Sequence, residues 1–151
     1  LAEPLERTIA LLSRESEASL GTLDGKSPFV SGTIYYFEAG TGDDLGKIYL
    51  LLSDLARHTR NLEKEKRVSL LVSETKPGIS LLEGERVTVL GEAERVVDDH
   101  EVNRLREKFR GRFSLAEILL SLPDFRFYRI RPLEIHWIGG FGRAQSFKLA
   151  P

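Results

Sequence analysis

"SDLARHTRNLEKEKRVSLLV", residues 53–72, follows the apolar run "KIYLLL" and packs two changes of character into one short stretch. Ser53 and Asp54 suit the end of a strand, and a helix is predicted to begin between Leu55 and His58. Arg57, His58, Thr59, Arg60 and Asn61 crowd at that start. A helix start offers unpaired N–H groups and the positive end of a dipole, so it favours an anion. Side-chain donors would dominate the affinity. A charge-assisted hydrogen bond contributes roughly 1.5–3 kcal/mol, against about 0.3–1 kcal/mol for the dipole. An ordinary alternative stands beside this reading. Ser and Asp are common helix caps, and Arg57 or Arg60 could pair with Glu63 or Glu65 on the surface. The stretch has no glycine and no G-K-[ST], which argues against a nucleoside triphosphate.

Working outward, "RVSLLV" predicts a strand after the helix, and "ERVTVLGEAERVV" (85–97) a longer one with a bulge or bend at Gly91. Upstream, Pro4 with Leu5, Ile9 and Leu12 predicts a first helix ending near Glu15. "ASLGTLDGK" reads as a strand closing on the hairpin turn Asp24-Gly25, and "PFVSGTIYYF" as its β-branched, aromatic partner. Downstream, Asp98 caps a helix with Val102, Leu105 and Phe109 on one face, and Gly111 can end it. Ser114 and Glu117 form a capping box for another helix, stopped by Pro123. "FRFYRI" and "LEIHWI" read as two strands hinged at Pro132, before a "GGFGRAQSF" tail. Strands outnumber helices, and the helices are too few and misplaced for repeated βαβ units. The expected fold is α+β, a mainly antiparallel closed barrel with helices packed outside, as a single domain over 1–151.

Composition narrows the function. The chain of 151 residues has a net charge of −1, from 22 basic and 23 acidic residues, and lacks the basic excess of a general nucleic-acid binder. There is no cysteine, so disulfides, thiolate zinc and a cysteine nucleophile are excluded, and a reducing, cytoplasmic setting is expected. No apolar run approaches the roughly 20 residues of a membrane span, and the first residues do not read as a signal peptide. Methionine is absent, including an initiator, so the sequence given need not begin where the protein does.

The three histidines have no ligand spacing such as i, i+4, and no protein-only metal site is expected. His58 belongs to the basic cluster as a donor, and His100 to a solvated helix start. "GGFG" is not a dinucleotide fingerprint, because no helical periodicity follows it. Its glycines suit a tight turn, with Phe141 and Arg143 able to reach a partner subunit. Tyr35, Tyr36, Phe37 and Trp137 read as core or interface aromatics. No serine sits on a G-x-S-x-G elbow, so the sequence defends no Ser/His/Asp arrangement.

A strand, then "SDLARHTRNLEKEKRVSLLV", a loop, then "ERVTVLGEAERV" resembles the pyridoxamine 5'-phosphate oxidase-like, FMN-binding split barrels, over about 18–143. The resemblance implies a split β-barrel homodimer with its flavin at the subunit interface, acting as an oxidoreductase on a small-molecule substrate. Residue by residue, it implies that Arg57 and His58, with Thr59 and Asn61 beside them, meet the FMN phosphate. Leu51, Leu52 and Ser53 would lie along the flavin edge, largely through backbone groups. Arg86 would reach the ring or its tail. "PFVSGT", with Ser31 and Thr33, would lie under the ring, Ser31 standing where the oxidases often carry arginine. The Arg-x-His-Asp-Arg type motif of the pyridoxamine-phosphate enzymes is missing. "SDLARHTRNL" and "RP…GGFGRA" look instead like the haem-utilisation (HugZ-type) branch. There haem is the alternative cofactor, the basic cluster would face propionates, and His136 is a candidate ligand. Longer members continue into a C-terminal segment that can supply an iron ligand. A cofactor-free scaffold or regulator is the remaining reading, against which the retained "RHTRN" cluster argues.

Overall fold

The structure, a computed structural model, describes residues 2–140 and 142–149. Helix α1 (Ala2–Arg14) leads into a hairpin of β1 (Glu17–Asp24) and β2 (Ser27–Ile34). Its turn is closed at Gly25, whose φ of 61° is the left-handed conformation the Asp-Gly signal anticipates. Then follow β3 (Tyr36–Ala39), β4 (Gly46–Ser53), α2 (Arg57–Lys64), β5 (Arg67–Ser73), β6 (Arg86–Arg95), α3 (Asp99–Arg112), α4 (Ala116–Ser121), β7 (Phe125–Ile138) and β8 (Ala144–Lys148). All strand pairs are antiparallel, in the order β2-β1-β5-β6-β7-β4-β3, with β8 added to β7. The sheet curls until β2 touches β4 without pairing to it, which leaves a split between them.

Alternation along the strands builds two cores. Leu20, Leu50, Leu70, Val89, Ile135 and Trp137 point to the concave side, which α1 closes with Leu11 and Leu12. On the other side, Tyr49, Leu51 and Phe127 meet Leu105 and Phe109 of α3 and Ala116 at the start of α4. Polar contacts pin the lids. Arg112 donates to the carbonyls of Ser13, Arg14 and Glu15 at the end of α1, and Tyr35 Oη donates to Leu12 O. Arg104 of α3 grips Glu38 of β3 and Glu101.

Several local expectations need correction. The single strand expected over "PFVSGTIYYF" breaks at Tyr35, which turns inward to reach α1. "FRFYRI" and "LEIHWI" form one continuous strand, β7, and not two hinged ones. Pro132 is tolerated because it faces the Leu90/Gly91 register shift, where a missing N–H breaks no regular ladder. A Cβ at Gly91 would come within 2.5 Å of Arg131 O, which is why glycine stands there. The expected tail holds a strand, β8, returned by a turn with Gly140 and Gly142 at positive φ. The Ser114 capping box does not form. Leu115 is the N-cap of α4, without a side-chain bond, and Glu117 pairs with Arg110 at 2.9 Å. Asp98 caps α3 as expected, accepting from Glu101 N at 3.0 Å.

Candidate functional site

Helix α2 starts where β4 leaves the sheet, beside the split. Its N-cap, Ala56, is extended and gives no side-chain cap. Helix geometry therefore leaves the N–H groups of Arg57, His58 and Thr59 outside the helical ladder. Ser53 does not cap the helix either. Its hydroxyl donates to Asp124 Oδ2 at 2.5 Å and accepts from Leu55 N at 3.1 Å.

The surface pairs proposed as the ordinary alternative do not form. Glu63 accepts from Tyr128 Oη, Glu65 pairs with Arg67, and Arg60 folds back onto Leu55 O at 2.9 Å. Arg57 lies half-exposed with its guanidinium 4.6 Å from the Phe29 ring centroid. Its nearest carboxylate, Asp24, is 3.9 Å away, too far for a hydrogen bond. His58 is partly buried, and that burial holds its pKa below the ordinary value. Asn61 is buried and donates to Thr22 Oγ1 at 3.1 Å, which fixes the helix to β1.

Thr59 is 1% exposed, and its hydroxyl has no hydrogen-bond partner among the described residues. Buried polar atoms are nearly always paired, so an orphan at the third residue of a basic helix start needs an explanation. An anion seated there would supply an acceptor.

The remaining expected residues divide. Ser31 and Thr33 lie on β2, which as an element touches both α2 and β4. The Leu52 side chain is buried in the core. Yet β3 pairs β4 only over Gly46–Tyr49, so the far backbone edge of Leu52 and Ser53 has no strand partner among the described residues. Arg86 stands apart. It pairs with Ser73 at one end of β5, whereas Asp24 and Arg57 lie toward the Arg67 end. Its guanidinium donates to Leu81 O at 2.9 Å.

What the sequence reading missed is the surface beside this corner. An open groove of about 940 Å³ crosses the outer sheet face, walled by Leu23, Phe29, Leu71, Leu90, Leu133 and Leu149. Thr22 and Phe29 line it and also touch Asn61 and Arg57, so the basic helix start borders an apolar trough. The alternating apolar residues of β1, β5 and β6 were the available signal, but which face they serve depends on barrel closure. His136, the haem-ligand candidate, sits level with the groove-lining Thr88. Both its ring nitrogens are engaged, Nδ1 with Ser146 Oγ at 2.5 Å and Nε2 with Glu134 at 2.6 Å. Arg143 pairs with Glu3 and stacks on Trp137, and Phe141 lies outside the described residues.

Among the described residues no helix is long and apolar enough to cross a membrane. Comparison with known proteins agrees with the architecture. The chain is 30% identical over 102 residues to the heme oxygenase HutZ of Vibrio cholerae, covering 64% of this chain and 56% of that protein. It thus spans little more than half the length of that curated relative. The structure of a heme binding protein from Mycobacterium smegmatis superposes with a TM-score of 0.81 at 29% identity, covering 98% of this chain and 58% of the other. A putative pyridoxamine 5'-phosphate oxidase from Listeria innocua, at 15% identity and a TM-score of 0.68, covers 90% of this chain and 98% of its own and shares the fold. The family model described as CREG, beta-barrel matches residues 6–149. The chain belongs to the CREG beta-barrel family, with the split-barrel, pyridoxamine-phosphate-oxidase-like fold that its helix start and following strands resemble.

Proposed function

We propose that the chain binds haem, with the carboxylates of the cofactor at the start of α2 and its apolar body on the neighbouring trough. The observation that carries this reading is the contiguity of the two surfaces. Arg57, His58 and the orphan Thr59 hydroxyl suit an anion, and through Phe29 and Thr22 they border a groove walled by leucines. An amphipathic, flat ligand matches that pairing. The haem proteins among the relatives near 30% identity support haem over other ligands of this shape. Haem, when bound, supplies redox-active iron. The residues of this chain contribute binding, orientation and exclusion of water.

FMN is the second reading, favoured by the donor set itself. Two basic side chains, a hydroxyl and free helix N–H groups suit a phosphate dianion at least as well as a propionate. Ser31, Thr33 and the free backbone edge of Leu52 and Ser53 would then flank the ring, and the activity would be that of an oxidoreductase on a small molecule. Arg86 cannot join the α2 corner within one protomer, so its expected contact with a cofactor requires a second copy. A cytoplasmic homodimer of single-domain chains, covering the exposed apolar trough, is the setting this reading expects.

Titration of the purified chain with haemin and with FMN, for wild type and Arg57→Ala, tests both. Saturable haemin binding should weaken by about tenfold to a hundredfold in the variant, the loss of one charge-assisted bond. A preference for FMN with the same loss transfers the assignment to flavin. Affinities that Arg57→Ala leaves unchanged would sink the site, and no saturable binding of either would leave the scaffold.

A further inference from the structure

On the face opposite the concave core, β7 and β8 bring three side chains into a row that no property of the α2 corner uses. Ser146 Oγ lies 2.5 Å from His136 Nδ1, and His136 Nε2 lies 2.6 Å from Glu134 Oε2. The register explains the closeness. Ser146 stands directly opposite His136. Leu149 N donates to Leu133 O, so by alternation the Ser146/His136 pair does not exchange backbone bonds. Such pairs bring side chains nearest to one another. The same alternation turns the Ser146 N–H outward, on an edge of β8 that has no strand partner among the described residues.

We propose that Ser146, His136 and Glu134 form a nucleophile, base and orienting carboxylate for hydrolysis of esters with apolar acyl groups. An ionised carboxylate can only accept, so the ring nitrogen facing Glu134 carries the proton. That tautomer leaves the Nδ1 lone pair to accept from the Ser146 hydroxyl, the arrangement an activated serine requires. The acyl group has a place to lie at the Leu133 and Leu149 end of the groove, which β1, β5 and β6 separate from the Phe29 end that borders α2. Glu134, Thr88 and Lys148 line the leucine-walled groove, and Ser146 shares its face with Lys148 two residues along β8.

The chemistry closes without a co-reactant other than water. Ser146 Oγ bonds to the ester carbonyl carbon as its proton passes to His136 Nδ1. Negative charge on the carbonyl oxygen is met by the Ser146 N–H and the Lys148 ammonium. The carbon–oxygen bond to the alcohol then breaks, and His136 returns the proton to the leaving oxygen. Water, deprotonated by His136, attacks the acyl-serine carbonyl; the bond from that carbon to Ser146 Oγ breaks, His136 returns the proton to Oγ, and the carboxylic acid leaves.

Release of p-nitrophenolate from p-nitrophenyl butyrate tests this on the full chain. Wild type should turn over repeatedly, and Ser146→Ala and His136→Ala should each lower kcat/KM by about a hundredfold, the scale of a lost general base or nucleophile. Glu134→Gln should reduce kcat more than it alters KM and shift the acid limb of the pH profile, a change that loss of packing alone would not produce. A fluorophosphonate probe should add its mass to the peptide carrying Ser146, and should fail to do so in His136→Ala. Equal rates for wild type and Ser146→Ala, or a probe that never labels Ser146, would overturn the proposal. All three residues are on the surface of the sheet, so unchanged unfolding midpoints should accompany these losses.

Discussion

Two places in the molecule gather charge, and they treat it in opposite ways. Just before β6, Glu85 is buried, and both oxygens of its carboxylate accept hydrogen bonds. Arg7 reaches it at 3.0 Å, Arg14 at 3.2 Å and the Trp137 indole N–H at 2.8 Å. At the start of α2 the balance is reversed. Among the described residues, Arg57 has only a distant Asp24 as a carboxylate partner, the helix N–H groups lack a cap, and the Thr59 hydroxyl is buried without a partner. A satisfied network ties α1 to the barrel and asks for nothing further. An unsatisfied one is incomplete as a piece of the fold, and that incompleteness is what supports the proposal of a ligand there.

Removing Glu85 should cost stability and little else. Glu85→Ala leaves a buried indole N–H unpaired and loses two half-exposed guanidinium contacts, so unfolding in urea should show a loss of roughly 2–4 kcal/mol. Arg57→Ala should do the reverse. Its ion pair is long and half-exposed, so stability should change by less than about 1 kcal/mol, while affinity for the anionic ligand falls by the tenfold or more given above. Equal losses of stability in the two variants would erase the distinction.

Thr59→Val sharpens it, because the two readouts should move in opposite directions. Replacing an unpartnered buried hydroxyl with a methyl of similar shape should stabilise the free chain by about 1 kcal/mol. The same change should weaken anion binding by about tenfold, the worth of one hydrogen bond to a charged group. A variant that lost stability would mean the hydroxyl already has a structural partner.

The sequence made one side of this comparison far more legible than the other. The α2 corner is local. Its basic residues are consecutive, the strand end precedes them, and helix physics alone points them at an anion, so Arg57, His58 and Thr59 could be named from spacing. The Glu85 node joins residues as far apart as Arg7 and Trp137, and nothing near Glu85 marks it as buried. The same limit hid the groove and the Ser146–His136–Glu134 row. Each depends on which strand lies beside which, and β8 reads as a glycine-rich tail until β7 is seen to hold it. Pro132 misled in the other direction. Proline ordinarily ends a strand, but a register shift on the neighbouring strand removed the bond it could not make.

The smallest effect is also the one that separates free and bound protein most cleanly. Burial lowers the pKa of His58 from its ordinary 6.5. The unfolded chain therefore takes up the proton first as pH falls, and the folded state loses stability below about pH 6.5 until its own pKa is passed. A bound anion acts against that burial, because it favours the charged imidazolium. Binding should then be accompanied by proton uptake, and affinity should rise as pH falls through the same window in which the free chain weakens. Calorimetric titrations in buffers of different ionisation enthalpy would count the proton, and His58→Asn should abolish both slopes. Affinity that fell with acidification alongside stability would place His58 away from the ligand, leaving the corner to Arg57 and Thr59.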